Sequence, residues 1–140
     1  VSGKRSLELF RFSDIGQSVA VVVECGDSWT VGAAEPQRYH PALLVVESDF
    51  VSGRLQLALS DGDLDDWERC LDALDAEERV EWPPGDRTPW LEVVPDDPVE
   101  MTVHDMPSTQ IAVRVPIGFT DEWVEENRAR LERVRKAVEL

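Results

Sequence analysis

Twice along this chain the spacing of apolar residues switches from every second position to every third or fourth. Short runs rich in Val, Leu and Phe occupy residues 7–12, 18–24, 43–47 and 54–59, parted by Gly, Pro, Asp and Ser. In the last of them Leu55, Leu57 and Leu59 alternate with Gln56 and Ala58, the period of a strand with one wet face. After Ser60 the period changes: Leu64, Trp67, Leu71 and Leu74 recur at helical spacing. The pattern then repeats. Residues 90–94, the Val99, Met101, Val103 set and the Ile111, Val113, Val115 set alternate, and Val124, Leu131, Val134 and Val138 close the chain with a second helical stripe. Strand runs that each end in a helix, with no strand-helix-strand alternation, predict one α+β domain over residues 1–140. The expected architecture is a largely antiparallel sheet of about seven to eight strands with two helices, in the order ββββαββββα.

The finer signals fix the ends of these elements. Residues 19–23 and 43–46 are apolar throughout, which predicts central strands, covered on both faces or covered once and paired on each side. Ser60 precedes Asp63 as in a capping box, and the first helix should end near Glu77 without a glycine cap. A short strand is expected at 79–82. Pro83, Pro84, Gly85 and Pro89 then enforce a loop. Pro95-Asp96-Asp97-Pro98 supplies a turn inside a three-stranded meander. Thr120 is the predicted N-cap of the last helix, whose acids lead and whose arginines follow, as the helix dipole favours. Asn127 interrupts its apolar stripe, which spans too few heptads for a coiled coil.

Charge narrows the choice of partner. The 140 residues hold 14 Lys plus Arg against 29 Asp plus Glu, a formal charge of −15. Residues 1–60 carry net −2, residues 61–126 net −16, and residues 127–140 net +3. Such a balance argues against DNA, RNA and anionic membranes, which are held by cations that displace counterions. It favours a basic protein. No apolar run is long enough to cross a bilayer and no targeting segment is recognisable. Two widely separated cysteines, Cys25 and Cys70, read as buried thiols of a cytoplasmic protein.

No motif assigns catalysis. His40 and His104 stand outside any nucleophile elbow, phosphate loop or zinc-protease helix, and Cys70 shares the helix stripe, where an apolar setting keeps a thiol inert. An enzyme would need His40 or His104 brought by the fold against a cysteine or carboxylate. Asp61, Asp63 and Asp65 alternate like the start of a calcium loop, but Asp66 stands where the loop needs glycine and Asp72 where it needs glutamate. The pattern therefore assigns no metal, no cofactor and no catalytic residue. What remains is a docking surface: Asp61, Asp65, Asp66, Glu68 and Asp72 on the exposed side of the first helix would steer a basic partner, with Trp82 or Trp90 as an anchor. The plainer alternative is a solvated face with both tryptophans in the core. A different alternative is a regulatory or housekeeping domain acting through its sheet, as a homodimer or against a partner.

The segment Asp49-Phe50-Val51-Ser52-Gly53-Arg54, a strand, and Asp63-Leu64 followed by Trp67, Leu71 and Leu74 resembles bacterial immunity proteins of the wall-associated-protein type, and a related uncharacterised actinobacterial family. Gly118-Phe119-Thr120-Asp121 with Trp123 and Val124 is similar to the start of their last helix. The resemblance covers roughly residues 43–140. It implies a bacterial inhibitor that neutralises a toxin domain by binding, without catalysis.

Overall fold

The computed structural model of the chain describes residues 5–85, 89–118 and 122–139. Its first sheet is built from β1 (Arg5–Ser13), β2 (Gln17–Cys25), β3 (Trp29–Val31), β4 (Gln37–Ser48) and β5 (Ser52–Ser60). Helix α1 (Asp61–Asp75) follows, then β6 (Val80–Trp82), β7 (Trp90–Val94), β8 (Val99–His104) and β9 (Ala112–Ile117) as a second sheet, and finally α2 (Trp123–Val138). Every strand pairing in both sheets is antiparallel. The fold is α+β with nine strands in two antiparallel sheets and two helices.

The extra strand is β3, whose three residues are too few to show a period. It continues the edge that β2 leaves free: β4 pairs through residues 42–48 with β2 and through residues 37–39 with β3, while β5 lines its other edge. β4 thereby starts six residues earlier than expected, running straight through Pro41. That proline lies in the gap between the β2 and β3 registers, where a missing N–H breaks no ladder on that edge.

The two apolar strands are covered once and paired on each side. Val19, Val21 and Val23 of β2 and Ala42, Leu44 and Val46 of β4 are buried beneath the helices and the second sheet. Val22, Leu43 and Val45, on the opposite face, stay partly exposed. The second sheet is the predicted meander with β6 added at its edge, and turns Val80, Trp82, Leu91, Val93, Val99, Met101, Val103, Val115 and Ile117 inward. Between the layers lies an aromatic cluster. Phe10 stands 4.4 Å from Trp67 and 5.5 Å from Phe12, and Trp67 stands 5.4 Å from Trp82, measured between ring centres. The Asp14 side chain ties the layers at one end by accepting from the Gly118 N–H at 3.0 Å. That bond and a second from Gly16 hold its carboxyl below the ordinary carboxylate range.

Both helices keep the chemistry of their sequences. Ser60 accepts from the Asp63 N–H and the Asp63 carboxylate accepts from the Ser60 N–H, a closed capping box. α1 ends at Asp75, and Glu77 takes the left-handed conformation, φ 62°, that glycine would adopt more easily. The predicted cap Thr120 lies outside the described residues. Asn127 is fully buried in α2 because it serves β1: its side-chain oxygen accepts from the Arg11 N–H at 2.9 Å, just past the bulge at Leu9. A polar residue in an apolar stripe here satisfies a backbone donor. None of the described helices is long and apolar enough to cross a membrane.

Candidate functional site

The acids of α1 line a ridge that faces α2. Spacings of three and four put Asp65, Glu68 and Asp72 on one side of the helix. From α2, Arg135 meets both Asp65 and Glu68 at 2.8 Å, and Arg128 meets Asp72 at 2.6 Å and Asp75 at 3.6 Å. The hydrogen bond to Asp72 is the main reason that the Arg128 guanidinium holds its proton more tightly than usual. Asp66 pairs with Arg69 in its own helix. Asp61 pairs with His40 and Arg38 of β4. Each acid expected to steer a partner is thus engaged by a cation of this chain. Asp65, Glu68 and Asp72 keep 65%, 51% and 62% of their side-chain exposure, so each pair is individually weak and screened by salt.

The tryptophans divide. Trp82 cannot anchor a partner, because it is fully buried, with its indole N–H donating to the Asp63 carbonyl at 2.9 Å. The register of β6 decides this: Val80 and Trp82 face inward and Glu81 outward. Trp90 lies on the outer face of the second sheet, half-buried, stacked flat on His104 at 3.9 Å and 7°. His104 stands 3.4 Å from Glu92, which Arg79 also holds. Burial pushes the Glu92 carboxyl up, but the hydrogen bonds from Arg79 and His104 outweigh it and keep the group below its usual range.

The fold does bring an imidazole against a carboxylate. His40 Nε2 lies 2.8 Å from Asp61, and its Nδ1 lies 2.7 Å from the Ser28 hydroxyl. A carboxylate only accepts, so a neutral ring donates from Nε2 and accepts from Ser28 at Nδ1. Three facts make this a clasp more than a nucleophile. His40 is fully buried. The adjacent hollow, roughly 370 Å3, has Arg38, Asp61 and Arg135 in its walls but neither Ser28 nor His40. The cation closest to Asp61, Arg38, is occupied by the Val138 carbonyl of α2 at 2.7 Å. The group ties the β2–β3 loop, β4, the first residue of α1 and the end of α2 together. Burial pushes the Asp61 carboxyl up, and the bonds from His40 and Arg38 outweigh that and lower it.

Asp61, Asp63 and Asp65 serve three different partners: the β4 clasp, the capping box and Arg135. Among the described residues no group of three or more His, Cys, Asp or Glu side chains is arranged to hold a metal ion. Both cysteines are buried, and burial pushes Cys70 up to about 11, with Arg69 opposing.

Three acids without an ion pair among the described residues, Glu77, Asp96 and Glu122, lie together at the far end of α1. A cleft of roughly 280 Å3 opens between the C-terminus of α1, the β7–β8 turn and the first turn of α2. Leu74, Val99 and Trp123 floor it, and Asp75, Glu77, Asp96, Glu122 and Glu125 rim it. Among the described residues no Lys or Arg lines it. Arg128 reaches Asp75 and Glu125 from one side, while Glu77, Asp96 and Glu122 have no ion pair among the described residues. The end of α1 is closed by backbone bonds, Glu78 N–H donating to the Ala73 carbonyl at 2.9 Å and Glu77 N–H to that of Leu74 at 3.0 Å, while its last turn contains no basic residue to offset the acids.

Residues 7–139 match the model of one protein family, DUF5959. The chain belongs to that family. Its description is a family of unknown function, so membership in DUF5959 assigns no activity to the cleft or the clasp. No curated protein and no solved structure matches the chain. The sequence reading missed the cleft because its rim comes from three separate segments. One signal was nonetheless available: Asp72, Asp75, Glu77 and Glu78 oppose the dipole of α1, and no Lys or Arg follows within the helix.

Proposed function

We propose that this DUF5959 protein is a non-catalytic binding module that captures a basic protein, and that it acts as an immunity-type inhibitor of a nuclease-like toxin domain. The observation that carries the reading is the reversed charge at the end of α1. Acids against a helix C-terminus weaken the helix, by about 0.3–1 kcal/mol each at exposed sites. Arg128 compensates Asp72 and Asp75, but Glu77 has no ion pair among the described residues, and a local rule broken without compensation tends to mark a functional position. Glu77, Asp96 and Glu122 surround an apolar floor containing Trp123, a setting suited to the stem and charged head of an arginine or lysine.

Inhibition would be steric. A nuclease holds phosphate with cations, and carboxylates on a rigid scaffold compete for the same groups. In this reading the ridge of Asp61, Asp65, Asp66, Glu68 and Asp72 contributes long-range attraction, the cleft makes the contact, and Trp90 offers a second aromatic surface. An inhibitor of this kind works in the cytoplasm, a compartment that suits two buried cysteines. Titration with an arginine decapeptide over a salt series tests the proposal. Affinity that falls steeply as salt rises is expected; affinity indifferent to salt counts against electrostatic capture.

A further inference from the structure

We infer that two copies of this chain pair through the outer face of the first sheet. This surface lies on the opposite side from the helices, and the inference does not depend on the acidic cleft. A stripe of the face is apolar where a solvated sheet would alternate to polar: Val22 of β2 and Tyr39, Pro41, Leu43 and Val45 of β4 lie on it, partly exposed and covered by neither helix nor the second sheet, with Glu8 of β1 and Arg54 and Gln56 of β5 as its polar flanks.

Charge selects the occupant. All five strands come from residues 1–60, which carry net −2, whereas residues 61–126 carry net −16. A second copy approaching this pole meets an almost neutral surface, and a face-to-face pair keeps the two acidic ends apart.

Shape and size agree. A shallow hollow of roughly 620 Å3 is lined by Pro41, Leu43, Gln56 and Ala58, with Trp29 at its side and the Glu24 carboxylate as its one charged group. Trp29 is 42% exposed and stacks on Tyr39 at 5.9 Å. In a two-fold pair the same patch meets itself, so Trp29 of each copy enters the hollow of the other, the position in which aromatic anchors contribute most. Four strands across and about nine residues along give a flat footprint of roughly 570 Å2. Side-chain relief raises the accessible area towards the about 800 Å2 that each partner covers in a standard interface.

Sedimentation velocity of the full chain, from micromolar to hundreds of micromolar, tests the pairing. The expected species at high concentration has twice the 15.8 kDa mass of one chain. Leu43→Glu should weaken association by roughly a hundredfold or more with an unchanged far-ultraviolet spectrum. Trp29→Ala, at an already exposed edge, should do the same without touching the core. Met106→Glu adds the same charge at a half-exposed residue in the β8–β9 connection of the second sheet, outside the apolar stripe of β4, and should leave the dimer intact. A wild-type chain monomeric at every concentration overturns the inference. So does a dimer that survives both face variants, or one that Met106→Glu dissociates. None of these outcomes bears on the arginine-peptide titration, so failure of either proposal is recognisable by itself.

Discussion

The ridge of α1 and the cleft at its end are made of the same residue types, and the fold treats them oppositely. On the ridge Asp65, Glu68 and Asp72 each meet an arginine of α2, so carboxylates that look like a docking surface in the sequence hold two helices together. At the cleft Glu77, Asp96 and Glu122 face solvent around an apolar floor, with no ion pair among the described residues. A count of acids therefore says little about where a cation will bind. What matters is which acids lack a cation of their own. The tryptophans repeat the lesson, since Trp82 belongs to the core and Trp90 to a surface.

The largest expected effect separates the two tryptophans. Trp82→Ala removes a fully buried ring and should lower stability by about 3–5 kcal/mol, whereas Trp90→Ala should lower it by under about 1 kcal/mol in urea denaturation. Equal losses would erase the distinction. Next, removing the arginines that serve the ridge, by Arg128→Ala with Arg135→Ala, should lower stability by about 1 kcal/mol at low salt and by less in high salt. A loss unaffected by salt would mean that packing, not charge, joins the helices. At the cleft the sign reverses: Glu77→Gly relieves a left-handed backbone and removes an acid from a helix end, and should raise stability by about 0.5–1 kcal/mol. A decrease would show that Glu77 is held by the fold and is not available to a partner.

The smallest effect concerns acid. The Asp61 carboxyl is held below its ordinary range in the folded chain, so the stability it contributes is complete above an unfolded carboxylate value of about 3.9 and is lost as pH falls through the lower folded value. Asp61→Asn should make the acid limb of the stability profile shallower and leave the chain at neutral pH less firmly clasped. An unchanged acid limb would remove Asp61 from the clasp.

Much of the fold was legible because periodicity records which side of an element is buried. Leu64, Trp67, Leu71 and Leu74 marked α1, Ser60 and Asp63 marked its start, and the meander followed from three alternating sets. β3 was not legible, since three residues held against one end of β4 carry no period. The pairing of the ridge was not legible either: Asp65 and Arg135 lie 70 residues apart and meet only through helix packing. Asn127 announced itself as an anomaly in an apolar stripe, but its partner, a backbone N–H at a strand bulge, leaves no trace in side-chain chemistry.

The distinction between ridge and cleft can be put to one direct test. Two triple variants change net charge by the same amount, Glu77→Gln with Asp96→Asn and Glu122→Gln at the cleft, and Asp65→Asn with Glu68→Gln and Asp72→Asn on the ridge. Binding of an arginine decapeptide, measured by calorimetry at low and at high salt, should weaken roughly tenfold or more in the cleft variant and lose most of its salt dependence. The ridge variant should stay within about threefold of wild type. Equal weakening in the two variants would show that only total charge matters, and would contradict the account.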